Sequence, residues 1–207
     1  MRKLIDSTGF FLGWFAIIGQ FFLSIQNRQV EVTETVIRFF SYFTVLTNIL
    51  VVLYFTSRIS IFKKTFISKF SNKSTLTAFT AFILVVGLIY QFILRSTWIP
   101  SGLQMIINEL LHSVIPLFVL LYWLKFANEN DLIFKNIKIW LWYPIVYFIY
   151  IIIRGHFSNF YPYPFVDVSL IGYPQVLINA VLISLFFLGI MGTLIFIGNK
   201  TRKSKLS

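Results

Sequence analysis

Residues 76–94, LTAFTAFILVVGLIYQFIL, contain no Lys, Arg, His, Asp or Glu. At 1.5 Å per residue a helix of this stretch is roughly 28 Å long. That is close to the thickness of a bilayer's hydrocarbon core, about 30 Å. Five other stretches read the same way: residues 9–25, 36–55, 105–124, 139–153 and 174–197. They are continuous apolar runs, not the alternating segments of about ten residues that build a transmembrane barrel. The expected fold is all-α, a polytopic bundle of six transmembrane helices, with residues 1–207 as a single domain.

Composition agrees. The chain is 57% hydrophobic and only 12% charged, with a mean hydropathy of +0.81. A soluble domain carries about 25% charged residues. The absence of cysteine excludes disulfides and thiolate metal sites. A net charge of +11 would suit a nucleic-acid partner. Here, however, the charges alternate with long apolar spans instead of lining one face, so no nucleic-acid partner is expected. The N-terminal MRKLID precedes an apolar stretch that exits as SIQNRQ, without a small-x-small cleavage site, and reads as a retained first helix.

Basic residues set an orientation. With the N-terminus in the cytoplasm, Arg2, Lys3, Arg58, Lys63, Lys64, Lys69 and Lys73 fall inside, as do Lys125, Lys135, Lys138, Lys200, Arg202, Lys203 and Lys205. Of the 18 Lys and Arg, only Arg28, Arg38, Arg95 and Arg154 fall outside. This is the positive-inside pattern. Trp123, Trp140 and Trp142 then sit at the inner interface, and Trp98, Tyr161, Tyr163 and Tyr173 near the outer one. The expected location is the cell membrane, with both termini cytoplasmic. The loop from Arg154 to Tyr173, RGHFSNFYPYPFVDVSLIGY, is rich in aromatics and prolines and reads as a lid or short re-entrant segment on the bundle.

Polar groups inside apolar helices are where chemistry concentrates, because unpartnered burial is costly. SYFTVLTN places Thr44, Thr47 and Asn48 on one helical face, at i, i+3 and i+4. NELLHS places Asn108 and His112 four apart, with Glu109 and Ser113 beside them. For continuous helices starting at Val36 and Met105, Thr44 and His112 lie roughly 12 Å and 10 Å below their entry points. They are therefore at similar depth. A hydroxyl beside an imidazole in a low-dielectric site is what a threonine nucleophile needs, since a neighbouring base must take its proton. Asn108 would orient the ring or donate to an oxyanion.

A structural reading stands beside this one. Thr and Ser in membrane helices commonly bond back to the i−4 carbonyl or join helices. Glu109 reads as solvated near the outer interface or paired with Arg95, and Pro116 as kinking the helix beneath His112. Gly189 and Gly192 read as close helix packing. Arg154, His156 and Asp167 read as solvated loop residues. No glycine-rich phosphate loop, metal-ligand spacing or Gly-x-Ser-x-Gly elbow is present. No metal or organic cofactor is expected.

Three patches resemble a known family. YFTVLTN is similar to the segment carrying the threonine of the androgen-induced-gene and androgen-dependent membrane proteins, with the match on Thr44. NELLHSVIP is similar to that family's Asn-three-residues-His segment, giving Asn108, His112 and Pro116. YPYPFVD is similar to its aromatic-Tyr-Pro-Phe loop, here Tyr163, Pro164 and Phe165. The order and spacing look like those of a bacterial relative of these six-helix hydrolases of fatty acid esters. Thr47 and Asn48 depart from the animal proteins, and Arg154-Gly155 fits the bacterial branch better.

The resemblance implies Thr44 as nucleophile, His112 as base and then acid, and Asn108 in a positioning role. Thr47, Asn48, Tyr163 and Phe165 would contact substrate. The partners implied are membrane lipid and a lipid-like small-molecule substrate. The alternative is a non-enzymatic transporter or a lipid- or hydrophobe-binding protein, since intramembrane His, Asn and Thr also line transport paths.

Overall fold

The computed structural model describes residues 1–59, 66–71, 74–97 and 99–203. Lys63, Lys64, Lys73, Trp98 and Lys205, used above for orientation, lie outside the described residues. The described residues are helical, with no strand. Among the described residues, five helices are long and apolar enough to cross a membrane, and a bent helix pair makes a sixth if counted as one span.

The first span, α1, covers Arg2–Gln26. The expected second span is broken in two, α2 at Val32–Phe39 and α3 at Phe43–Arg58, bent by 67°. This corrects the continuous 36–55 helix. At the break, Ser41 N–H donates to Arg38 O and Tyr42 N–H to Phe39 O, so the ladder tightens to i−3 and stops. Tyr42 is then extended (φ −82°, ψ 123°) and α3 starts afresh. No Gly or Pro marks the place. Tyr147 of a later helix and Tyr163 of a later loop hold it instead.

The third span is α4, Thr75–Ile89, ending in a π-turn at Tyr90–Leu94. The fourth is α5, Gly102–Glu109, a π-turn at Leu110–Val114, and α6, Ile115–Phe126. Pro116 cannot donate to His112 O, and just before it Ile115 N–H reaches back to Leu110 O, five residues away. After the short α7, Phe134–Ile137, the fifth span ends as α8, Trp142–Ser158. The last helix, α9, covers Val168–Lys203, with Gly172 in a positive-φ kink (φ 73°) just before Pro174. The loop between α8 and α9 is therefore shorter than the 154–173 stretch expected.

Fully buried residues of α4, among them Phe79, Phe82 and Ile83, form the centre of the core with α1, α3, α6 and α9. The close packing expected at Gly189 and Gly192 is elsewhere. Both face open space, whereas a Cβ on Gly13 would stand 2.1 Å from Val52 Cγ2 and one on Gly19 2.7 Å from Ile107 Cδ1. The small residues of α1 let its backbone approach α3 and α5, a device common between membrane helices.

Candidate functional site

Thr44 sits in the first turn of α3, where the bend leaves backbone N–H groups without helical partners. In hydrocarbon each such group would cost several kcal/mol. Tyrosine hydroxyls take them up. Phe43 N–H donates to Tyr147 Oη at 3.2 Å and Thr44 N–H to Tyr163 Oη at 3.2 Å. Tyr147 Oη donates onward to Ser41 O at 2.8 Å.

Most threonine hydroxyls described here bond to their own helix backbone, as Thr35, Thr56, Thr80, Thr193 and Thr201 do. Thr44 does not. Its Oγ1 lies 3.4 Å from Tyr163 Oη and has no backbone acceptor. Burial pushes the Tyr163 phenol up to about 12, against the downward pull of its bonds to Thr44. It stays protonated and able to donate.

Thr44 and Tyr163 both line a cavity of about 370 Å³. Apart from Tyr147 of α8 and Ser184 of α9 the rest of the wall is apolar, with Val86 and Ile89 of α4, Phe148 of α8, Phe187 of α9, and Phe165 of the loop. The Phe165 ring stacks on Tyr163 at 5.1 Å and 3°. The loop is anchored by buried Tyr163 and Val166 and by Asn179, whose amide donates to Phe165 O at 2.9 Å.

His112 occupies the middle of the π-turn in the fourth span, and Tyr90 opens the π-turn of the third. The two rings stack, 4.2 Å apart and 23° from parallel. His112 Nδ1 lies 2.9 Å from Asn108 O. A carbonyl only accepts, so Nδ1 carries the proton and, in a neutral ring, Nε2 is the free acceptor. Asn108 thus positions the ring with its main chain. Its amide donates to Tyr90 Oη at 2.5 Å, fixing the stacked partner. Gly87 lets α4 lie against this turn, since a Cβ there would stand 3.1 Å from His112 O. π-turns recur at functional sites, and here two of them meet.

The threonine and histidine segments are joined by Asn48. Its Nδ2 donates to Thr44 O at 2.9 Å and to Leu111 O at 3.4 Å, the residue next to His112. Thr44 Oγ1 and the His112 ring nevertheless make no hydrogen bond, and His112 is not on the cavity wall. Thr47 and Asn48 are fully buried away from that wall. Thr47 Oγ1 pairs with Tyr143 Oη at 2.9 Å.

Glu109 pairs with Arg95 at 2.7 Å, as the sequence suggested, and also accepts from Ser113. Arg154 departs from its expected solvated state. Its side chain is 8% exposed, ion-paired with Glu34 at 2.8 Å and lying over the Phe160 ring. Asp167 accepts from the N–H groups of Ser169 and Leu170 at the start of α9, and His156 is exposed.

Sequence reasoning missed Tyr90, Tyr143 and Tyr147. For the last two a signal exists, because Tyr143, Tyr147 and Tyr150 recur at i, i+4 and i+7 on an otherwise apolar helix. No family model, curated protein or solved structure matches the chain.

Proposed function

We propose that the protein is a six-span membrane hydrolase, with both termini cytoplasmic, that cleaves an ester in a single-chain amphiphile with Thr44 as nucleophile. One observation carries the reading. The Thr44 hydroxyl, bound to no backbone carbonyl, belongs to a residue on the wall of a largely apolar cavity large enough for a small ligand. Thr44 Oγ1 attacks the ester carbonyl, and its proton passes to His112 Nε2 directly or through one water. The leaving alcohol takes that proton back. Water then attacks the acyl-threonine, releasing the acid and restoring the hydroxyl. Asn108 holds the ring's tautomer, and the loop carrying Tyr163 and Phe165 keeps the reacting carbonyl dry.

The second reading is binding without turnover. It is favoured by the missing hydrogen bond between Thr44 and His112 and by the place of His112 off the cavity wall.

Purified protein in lipid nanodiscs, given a panel of long-chain acyl esters and a fluorophosphonate probe, separates the two. The hydrolase reading expects turnover or labelling that disappears in Thr44→Ala and His112→Ala while both variants remain folded. Turnover unchanged in those variants overturns it. Saturable ester binding without any turnover establishes the second reading in its place.

A further inference from the structure

We infer that the cavity opens sideways into the bilayer, through a mouth between α8 and α9, and takes one acyl chain of a membrane amphiphile by that route. This deepens the proposed function by naming the ligand's path and shape, and its test reads occupancy rather than chemistry.

The position of the mouth follows from which wall residues are exposed. The wall residues from α3, α4 and the loop are buried or half-buried: Thr44 is 8%, Val86 5% and Tyr163 9% exposed, and Phe43, Ile89 and Phe165 are half-buried. The exposed apolar side chains of the wall are on α8 and α9: Ile145 is 45%, Leu177 56%, Val181 59% and Leu185 59% exposed, with Phe187 buried at 4%. The opening is therefore a seam between two helices and does not lie at the end of the bundle.

The residues along it are apolar. From Pro174, Leu177 and Leu185 lie roughly 5 and 17 Å along the helix. The seam thus runs through a stretch that would stand within a hydrocarbon core about 30 Å thick. Lipid, not water, meets it. Nothing soluble has to cross an aqueous surface to reach Thr44.

The volume selects the shape. At about 370 Å³ the cavity falls near the small end of ligand sites, about 300–1,000 Å³. A methylene occupies about the same volume as a water, roughly 30 Å³, so the space holds on the order of a dozen methylenes. One chain fits, whereas the paired chains of a diacyl lipid do not. The wall along the seam carries small residues, half-buried Ala180 and exposed Ser184, one turn apart on α9. The Ser184 hydroxyl is turned back to Ala180 O at 2.7 Å, so it offers the chain no polar obstacle. The chain's polar end then meets the hydroxyls of Thr44, Tyr147 and Tyr163 on the wall.

The test uses the full chain in lipid nanodiscs doped with a long-chain fatty acid bearing a diazirine midway along its tail. After photolysis, adducts are mapped by peptide mass spectrometry. Phe11 and Phe15 of α1, which are 69% and 56% exposed on another face, report ordinary lipid contact.

The expected result is enrichment of adducts on Val86, Ile183 and Phe187 over Phe11 and Phe15, competed by unlabelled oleic acid in the same discs. Ala180→Trp should lower the cavity adducts several-fold and leave those on α1 unchanged. Ala180→Leu, a milder filling, should do the same to a smaller extent if the Trp variant does not insert.

Cavity adducts no stronger than those on α1, or insensitive to both substitutions, would overturn the inference. Occupancy without ester turnover leaves the inference standing and removes the hydrolase reading. Turnover without cavity adducts does the reverse.

Discussion

The main-chain carbonyl of Asn108, not its amide, holds His112, at 2.9 Å from Nδ1. The amide is spent on Tyr90 Oη, whose ring lies flat against the imidazole. The ring is therefore fixed by two contacts that respond differently to mutation.

Asn108→Ala keeps the carbonyl and so keeps the Nδ1–H tautomer, while freeing the Tyr90 ring. Ester turnover should fall on the order of tenfold, the cost of looser positioning. Tyr90→Phe should fall by a similar amount, and the double variant by little more than either one. Losses that multiply would show that the two residues act separately. Steady-state rates on one ester measure this.

On the hydrolase reading, Thr44→Ala should lower turnover by on the order of 10³-fold or more, as loss of a nucleophile does. Thr44→Ser should retain part of the rate, because the attacking oxygen survives. Stability should change by under about 1 kcal/mol in either variant, since the hydroxyl's one bond is long. Rates and unfolding temperatures in one detergent, taken together, separate a lost nucleophile from a damaged fold.

The break between α2 and α3 rests on Tyr147, which serves both Phe43 N and Ser41 O. Tyr147→Phe leaves buried backbone groups unpaired and should cost about 1–3 kcal/mol. Tyr150→Phe, losing only a 3.3 Å contact to Ser41 Oγ from a residue that is 38% exposed, should cost much less. Thermal unfolding of the two variants tests the ranking.

Two kinds of glycine should answer oppositely. Gly13→Ala drives a methyl into Val52 and should destabilise by about 1–3 kcal/mol. Val52→Ala should partly rescue it, since the clash is with that side chain. Gly189→Ala and Gly192→Ala meet open space and should be neutral or stabilising by up to about 1 kcal/mol. Denaturation of the four variants and the Gly13–Val52 double checks the contrast.

Breaking the Glu34–Arg154 pair should cost about 2 kcal/mol, between the exposed and the buried limits. The Arg154 side chain is 8% exposed and that of Glu34 30%. Arg154→Met alone strands Glu34 beside Arg38 only. The cycle with Glu34→Gln should show positive coupling.

An all-helical fold and the approximate place of each apolar stretch were legible from residue order alone. Burial of backbone polar groups in lipid permits little besides helices, and the apolar run at 76–94 shows it without any partner. Residue order also singled out Thr44, Asn108 and His112, because polar groups stand out against hydrocarbon-facing neighbours.

Only the tertiary structure decided where the second span bends. The break at Ser41 and Tyr42 carries no Gly or Pro to mark it, and the lost backbone bonds are replaced by Tyr147 and Tyr163, about a hundred residues further along the chain. The same holds for Arg154, whose burial depends on Glu34 coming to meet it, and for the glycines, whose meaning depends on what faces them. Local pattern records which groups need partners. Which partners they find is settled by packing between distant segments.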